Sequence, residues 1–312
     1  DMEIKNPARI QIRKKRLSTM KKFMDLNEGT RIKYSAKYAQ VSNYYKYFIG
    51  QNKGLKRLNT IETKEGLEKS FNDWALENET RKIKYGNVLQ SIKDGYDKNN
   101  IYHLPQVYVY EAGYSTDFVK FGYSFSKFLM VLGGKKEVDE DKLNILLSQT
   151  KEKAEEHFKD FDLNTDKQVF IEMMKMYSEN VDASFHPTFF NLVKKKYKGS
   201  FEKYADKLYA SSILTNTDKL DKFLTEPSFK VISKDMGILT MQSILNVMWT
   251  TRGMAKEGSN LIKDGMRKYL AGISEMYPNK NLYADANNTM RLTYGKIIDY
   301  KPRNAVHYNH YT

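Results

Sequence analysis

The segment TRIKYSAKYAQVSNYYKYFI, residues 30–49, carries the clearest helical pattern of the chain. Each residue of an α-helix turns by about 100°, and at that rotation the apolar residues of the segment fall within one narrow stripe. The stripe consists of Tyr34, Tyr38, Val41, Tyr45, Phe48 and Ile49. Such a stripe is typical of a helix that packs against a protein core. We therefore predict a helix from about Thr30 to Ile49, ended by Gly50.

Similar patterns extend in both directions from this helix. Before it, Asn6-Pro7 predicts a helix start, with Asn as the cap and Pro in the first turn. After it, we predict helices over about 64–78, 80–96, 117–132, 139–161 and 166–177, and further helices to Tyr277. Pro105 should interrupt the chain near His103, and Gly133-Gly134 should break it again. The best of the later helices carries its apolar residues on one side: Leu261, Ile262, Met266, Tyr269, Leu270, Ile273 and Tyr277. No strands alternate with these helices, so the fold class is mainly α, a multi-helix domain.

The pattern changes after Pro278. Met290, Leu292 and Tyr294 alternate with polar residues, which predicts one or two short strands continuing towards Ile298. An isolated hairpin is marginally stable in water, so we expect these strands to belong to a sheet that lies outside this chain. Both ends look cut, and we expect a segment of a longer protein. We divide it into a helical domain, residues 1–280, and a strand-bearing segment, residues 281–312.

Composition and motifs exclude many kinds of site. The 312 residues contain no cysteine, which removes disulfides, thiolate nucleophiles and zinc ribbons. The sequence motifs of α/β-hydrolases, zinc peptidases and phosphate- or dinucleotide-binding loops are absent. We therefore expect no catalytic residue, no metal and no cofactor in the chain itself. No apolar run reaches the roughly 18 residues of a membrane span, so we expect no membrane partner.

Two weak metal-like patterns favour a structural interpretation. His307 and His310 are close in sequence but lie in an irregular tail. The acidic stretch from Asp160 to Asp166 resembles a calcium loop, yet its sixth position is Thr165, where glycine is expected, and its twelfth is Ile171, where an acid is expected. A solvated loop with Asp166 as a helix cap explains it better.

The charge balance raises a binding function. Lys and Arg number 52 against 38 Asp and Glu, a formal charge of +14, and Arg9, Arg13 and Arg16 share one helix face. A stand-alone basic helical module for acidic polymers or nucleic acid is therefore one alternative, and a structural spacer is another. Acidic residues are interleaved throughout, however, and no nucleic-acid motif appears. Solvated faces explain most of the charge, and we do not expect nucleic acid as a partner.

Asn43 stands opposite the apolar stripe of the 30–49 helix, near Ala36 and Ala39. Small neighbours would let another chain approach the amide, which both donates and accepts hydrogen bonds. The alternative is that this face packs on a neighbouring helix and that Asn43 bonds a backbone group. The pattern alone favours this alternative.

Residues 31–39 (RIKYSAKYA), 42–46 (SNYYK) and 49–52 (IGQN) resemble the opening of the helical domain of bacterial dipeptidyl peptidases 7 and 11, which are chymotrypsin-like serine exopeptidases. Residues 283–295 (YADANNTMRLTYG) and 300–303 (YKPR) are similar to the point where that family's chain returns to its catalytic barrel. The resemblance covers nearly the whole chain, with specific motifs at both ends.

The resemblance implies a serine dipeptidyl aminopeptidase that releases dipeptides from the free N-terminus of oligopeptides. In that family a double β-barrel carries the Ser-His-Asp triad and a large helical domain caps the cleft. This chain lacks the triad, so the resemblance implies an inactive capping domain whose strands belong to the barrel. Its partners would be the peptide substrate and the barrel of the same parent chain, with a homodimer also allowed, in the periplasm or at the cell surface.

The resemblance also implies a role for one residue. Family members use an Asn from the helical domain to hold the free α-amino group of the substrate, and Asn43 is the matching position. An amide oxygen accepts a hydrogen bond from an ammonium without adding a second charge to be desolvated. The pocket that chooses between hydrophobic and acidic side chains would lie outside this chain.

Overall fold

The structure, a computed structural model, describes residues 2–134, 139–280 and 292–311. Within these residues the chain forms fifteen α-helices and a small antiparallel sheet. The helices are α1 (Lys5–Leu26), α2 (Glu28–Arg57), α3 (Thr60–Leu76), α4 (Glu79–Tyr85), α5 (Val88–Tyr108), α6 (Asp117–Gly122), α7 (Ser126–Gly133), α8 (Glu140–Lys159), α9 (Leu163–Asn180), α10 (Phe189–Lys196), α11 (Phe201–Ser211), α12 (Thr217–Thr225), α13 (Phe229–Ile232), α14 (Met236–Met254) and α15 (Lys256–Met276). The strands are β1 (Tyr300–Arg303) and β2 (Val306–Tyr308). The prediction of a mainly α fold is confirmed. None of the described helices is long and apolar enough to cross a membrane.

The main core is built from aromatic side chains on α6, α7, α9 and α11. The Phe118 ring lies 5.2 Å from Phe170 and 5.4 Å from Tyr209, in edge-to-face arrangements. Phe125 and Phe128 continue the cluster, and both are completely buried. Edge-to-face rings gain energy beyond the area they bury. The long helices α1 and α2 pack across this core through Ile12, Met20 and Tyr34 among others.

A second, smaller core lies at the other end of the molecule. It joins Phe71 and Ala75 of α3, Tyr85 of α4, Val88 of α5 and Ile273 of α15. The helix α5 connects the two cores, because it begins in the small one and ends in the large one at Val107 and Tyr108. The spacing between the cores is therefore set by the length of α5 and of its neighbour α15.

The helix pair α5 and α15 packs through glycines, which the sequence pattern had not singled out. Gly258, Gly265 and Gly272 are buried on α15. A Cβ atom at Gly258 would lie 2.6 Å from the carbonyl oxygen of Gly95, so the two backbones nearly touch. The apolar stripe predicted for this helix is only partly inside, since Met266 and Leu270 are 48% and 58% exposed.

Two helix boundaries differ from prediction for a shared reason. Asn6 is not a cap: α1 already begins at Lys5, and the buried Asn6 amide donates to Gln51 and Asn52 on α2, at 2.8 Å each. The helix α2 does not end at Gly50 but continues to Arg57. A mid-helix glycine costs only about 0.5–1 kcal/mol, and the bonds from Asn6 to the following turn stabilise the continuation.

The predicted interruption at Pro105 is also wrong. The helix α5 includes this proline and ends at Tyr108, where a π-helical turn over Val109–Gly113 follows. Burial of this region in the main core outweighs the hydrogen bond that proline removes.

The single helix predicted over 117–132 is instead two, α6 and α7, separated by a 3-10 turn over Tyr123–Phe125.

The C-terminal strands occur later than predicted. Residues 292–299 are not strand, and Met290 lies outside the described residues. The strands β1 and β2 pair with each other across a two-residue turn, with Tyr300 opposite Tyr308 and their rings stacked 5.2 Å apart. Leu292, Tyr294, Ile297 and Ile298 are each more than 70% exposed. The prediction of strands over 292–298 from the alternation of apolar and polar residues is therefore wrong.

The glycine contact predicts a sharp difference between two Gly→Ala variants. Gly258→Ala should destabilise the chain by about 1–3 kcal/mol, because the new methyl group meets the Gly95 backbone. Gly50→Ala, which meets no atom within 4 Å, should stabilise it by about 0.5–1 kcal/mol by improving helix propensity. Urea unfolding followed by circular dichroism measures both, and equal stabilities would contradict the close approach of α5 and α15.

Candidate functional site

Asn43 lies on an exposed face of α2. Ala36, Ala39 and Asn43 are all exposed, and the Asn43 amide makes no hydrogen bond to any residue in the described part of the chain. The neighbouring rings of Tyr44 and Tyr47 are 50% and 57% exposed. The face therefore does not pack on another helix of these residues, which removes the structural alternative that the sequence had left open. A free amide beside two aromatic rings remains available to another molecule or domain.

The buried side of α2 fixes the direction of that face. Tyr34, Val41 and Phe48 of the predicted stripe are buried, and Tyr38 and Tyr45 pack against the core in part. The stripe prediction is confirmed. A helix held along one side by rings spaced over four turns has little freedom to rotate, so the face that carries Asn43 keeps a fixed direction.

Arginines of α1 contact aromatic rings of α2 and help to hold this helix in place. The Arg13 guanidinium lies 5.0 Å from the centre of the Tyr44 ring, and that of Arg9 lies 5.0 Å from the Phe48 ring. Arg13 also forms a 2.6 Å ion pair with Glu111 in the π-helical turn. Cation–π contacts are stronger when the groups are partly desolvated, as Arg13 is. Tyr44, next to Asn43, is thereby held by α1.

These contacts bear on the nucleic-acid alternative. Arg9 and Arg13 are engaged by Glu111 and by aromatic rings, and Arg16 is 8% exposed with a hydrogen bond to the Ser115 carbonyl oxygen. The three arginines do share a face, as the spacing predicted, but that face is turned towards the protein. They do not form an open patch that phosphate groups could reach.

Two aspartates connect α2 to the rest of the core. The Asp117 carboxylate accepts hydrogen bonds from Lys37 Nζ at 2.6 Å and from the Tyr34 hydroxyl at 3.0 Å, both on α2. The Asp166 carboxylate of α9 accepts the backbone N–H groups of Asp117 and Phe118 at 2.7 and 3.2 Å, and the Tyr209 hydroxyl at 2.8 Å. One pair of carboxylates therefore joins α2, α6, α9 and α11.

The pKa values of the two carboxyl groups are shifted in opposite directions. Burial alone would raise the pKa of Asp117, but the charge and hydrogen bond of Lys37 outweigh it, so the pKa of Asp117 lies below its ordinary value. Burial, followed by the adjacent Asp117 charge, raises the pKa of Asp166 to about 7. Environments that separate two carboxyl pKa values are common at functional sites, although structural networks produce them too.

The prediction that Asp166 caps the helix that follows the acidic loop is wrong. The cap of its own helix, α9, is Asp162, whose side chain accepts the N–H of Thr165 at 2.9 Å. Asp166 instead lies inside α9 and caps α6 through space. Sequence spacing located the acidic loop, but it could not show that one member faces a helix 49 residues away.

The histidine pair of the tail is brought together by a third residue. His310 Nδ1 lies 2.5 Å from one oxygen of Asp299, and His307 Nε2 lies 3.3 Å from the other. Hydrogen bonds from His310 and then His307 lower the pKa of Asp299. The three residues are partly exposed and brace the turn next to the β1–β2 hairpin, which fits the structural interpretation.

A family model described as Peptidase S46 matches residues 1–312. The chain belongs to the peptidase S46 family. It is 33% identical to a dipeptidyl-peptidase 7 of Porphyromonas endodontalis, over 98% of this chain and 37% of the relative. It is 29% identical to an Asp/Glu-specific dipeptidyl-peptidase of Flavobacterium psychrophilum, over 97% of this chain and 42% of the relative.

The fold of this S46 chain also matches solved structures. A crystal structure of Porphyromonas endodontalis DPP11 in complex with the dipeptide Arg-Glu superposes with a TM-score of 0.78 at 22% identity, over 99% of this chain and 44% of the other. The S46 chain thus spans about two fifths of the length of the relatives and structures it matches. The resemblance to dipeptidyl peptidases 7 and 11 stated from the sequence is confirmed.

The raised pKa of Asp166 predicts a pH-dependent stability. The folded state holds a proton that the unfolded state releases near pH 4, so the contribution of Asp166 is complete below pH 4 and is lost as the pH rises towards 7. Buried His157, whose pKa is lowered by desolvation to about 4, contributes the opposite slope over part of this range. Asp166→Asn should therefore make stability fall less steeply, or rise more steeply, between pH 5 and pH 7.5 than in the unaltered chain. Urea unfolding at several pH values measures the slope.

Asp182→Asn provides a control, because Asp182 is an exposed cap with a lowered pKa and stays ionised throughout that range. Its curve should run parallel to that of the unaltered chain. A similar slope for Asp166→Asn would mean that Asp166 is ionised in the folded state over the whole range.

Proposed function

We propose that this chain is the substrate-capping helical domain of a serine dipeptidyl aminopeptidase, which releases dipeptides from the free N-terminus of oligopeptides. The observation that carries the proposal is the match to the S46 family over residues 1–312, within relatives more than twice as long. In this proposal residues 1–280 form the cap and residues 281–312 lead into the catalytic barrel. The Ser-His-Asp triad lies in the remainder of the parent protein.

The exposed C-terminal segment supports the proposed connection to a barrel. Four large apolar side chains over 292–298 are exposed, and the β1–β2 hairpin has no third strand among the described residues. Short hairpins need additional strands or a packed face for stability. We infer that the barrel of the parent chain supplies both.

In the proposed mechanism the barrel performs the chemistry, and the helical domain determines how many substrate residues lie before the bond that is cut. The serine of the barrel attacks the second peptide bond, the histidine relays the proton, and backbone donors stabilise the oxyanion. The helical domain closes one end of the cleft, so that two residues fit before the bond that is cut. Asn43 would mark that end by accepting a hydrogen bond from the substrate's α-ammonium group.

The stand-alone basic binding module is the second candidate. The +14 charge favours it, but the inward arginines of α1 weigh against a phosphate-binding surface there. We also propose, from the resemblance alone, a periplasmic or cell-surface location and a homodimer as a permitted state of the parent.

The gene on either side of the chain separates these candidates. A Gly-Asn-Ser-Gly-Ser-type motif encoded after residue 312 would support the capping domain, and a stop codon there would support the binding module. For the same reason the 312-residue chain by itself should be folded, mostly helical and without peptidase activity. Dipeptide release that persists after purification and is blocked by a serine-directed inhibitor would contradict the proposal that catalysis lies outside this chain.

Asn43→Ala in the parent enzyme tests the proposed amine contact. A hydrogen bond to a charged group is worth about 1.5–3 kcal/mol, so kcat/KM for free dipeptidyl substrates should fall by about one to two orders of magnitude. Residual activity on N-acetylated peptides should barely change, since these lack the ammonium group. The melting temperature should stay the same because Asn43 is exposed and unbonded.

Asn144→Ala is the matched control, because Asn144 is an exposed asparagine in the middle of α8. It should leave all three measurements unchanged. If Asn43→Ala reduces activity on free and acetylated substrates equally, the residue does not contact the amine.

A further inference from the structure

A cavity of about 210 Å³ lies between α1, α2 and the start of α6. The cationic side chains that line it are those of Arg13, Arg16, Lys37 and Lys120. Its carboxyl groups are those of Glu111, Asp117 and Asp166. The cations therefore outnumber the carboxyl groups around a space that is partly closed off from solvent.

Each of the three carboxyl groups is already engaged. Glu111 is paired with Arg13 at 2.6 Å, and Asp117 with Lys37 at 2.6 Å. Asp166 accepts two backbone N–H groups and a tyrosine hydroxyl. No carboxylate oxygen of the cavity lies within ion-pair distance of Arg16 or Lys120 among the described residues.

Arg16 is incompletely satisfied. It is 8% exposed, one of its terminal nitrogens donates to the Ser115 carbonyl oxygen at 3.1 Å, and its Nε is buried without a hydrogen-bond partner. The Nε of Arg13, on the same wall, is in the same condition. Buried charged donors without acceptors are costly, and such groups in native structures commonly face an ion or a water.

Lys120 is the second cation of the cavity without an ion pair among the described residues. It lines both this cavity and an adjoining open depression of about 350 Å³, so it stands between the cavity and solvent. Its ammonium group forms no hydrogen bond or ion pair with the described residues. Desolvation, followed by the charge of Arg16, lowers the pKa of Lys120, and the charges of Asp117 and Asp166 offset this only in part.

We propose that this cavity binds a small monovalent anion between Arg16 and Lys120. The anion would accept a hydrogen bond from a terminal nitrogen of the Arg16 guanidinium and lie close to the Lys120 ammonium, neutralising the excess charge. One water molecule occupies about 30 Å³ of the liquid, so the cavity has room for a chloride-sized ion with its remaining waters. The site lies in this chain alone and does not depend on the proposed peptidase function.

Chloride is the probe for this site. The thermal unfolding of the 312-residue chain is compared in sodium chloride and in sodium gluconate at equal ionic strength, because gluconate is too bulky for a chloride-sized site. An anion that binds only the folded state stabilises it by mass action. We expect chloride at 100–200 mM to raise Tm by about 2 °C or more over gluconate. Identical Tm values in the two salts would overturn the proposal.

Two variants locate the effect. Lys120→Met should reduce the chloride-specific shift by at least half, and so should Arg16→Met if the chain folds without the Ser115 bond. Lys207→Met on α11 is the control, since Lys207 is an exposed lysine that does not line this cavity, and it should keep the full shift. A full shift in Lys120→Met would place the anion elsewhere.

A crystallographic experiment tests the site without any variant, so its result does not depend on whether a variant folds. Crystals of the chain soaked in sodium bromide should show an anomalous peak within hydrogen-bond distance of a terminal nitrogen of Arg16. A cavity with ordered water and no such peak would show that water alone satisfies the arginine, and the proposal would fail.

Discussion

The Asp166 carboxylate is the point on which the main core depends. It lies inside α9, is 2% exposed, and accepts hydrogen bonds from the first N–H groups of α6 and from Tyr209 on α11. Through Asp117, the first residue of α6, the connection continues to Lys37 and Tyr34 on α2. The free N–H groups at a helix start need acceptors, and the oxygens of the buried Asp166 carboxyl group provide them. One side chain thus sets the positions of three helices relative to α9.

This arrangement explains how a long exposed helix keeps a defined surface. The helix α2 has 30 residues and meets the core along one side only. Its anchors are distributed along its length: Lys37 and Tyr34 near the start, Tyr44 and Phe48 held by arginines in the middle, and Gln51 and Asn52 bonded by Asn6 beyond them. Asn43 lies between these anchors, so the helix segment that carries it is held by groups that its side chain does not touch.

The sequence predicted what depends on local periodicity and missed what depends on contacts distant in the chain. The stripe of α2 and the break at Gly133 follow from spacing and from glycine chemistry, and both are present. Asn6 and Gly50 were misread because each looks like a helix end locally, whereas the bonds from Asn6 to α2 are formed 45 residues away. The contact between Gly95 and Gly258 leaves no pattern in the local sequence either. It can be predicted only when it is known that α5 and α15 cross at these residues. The angle of Asn43 to the stripe placed it on the far side of α2, but the pattern favoured packing of that side on another helix, and the ring and arginine contacts of its neighbours could not be predicted.

The charges of α2 constrain what else must contact a substrate amine under the proposed function. Glu28 is the only acidic residue in the helix, while Lys and Arg occur at positions 31, 33, 37, 46, 53, 56 and 57. A bound ammonium group beside such a helix is repelled unless a carboxylate compensates it, and the amide of Asn43 supplies direction but no charge. Glu111 and Asp117, whose partners are Arg13 and Lys37, are already paired. Under the proposed function, the facing barrel of the parent chain would supply the compensating carboxylate. An amine site divided in this way is complete only when the cap closes on the barrel, so that recognition of a free N-terminus and closure of the cleft become a single event.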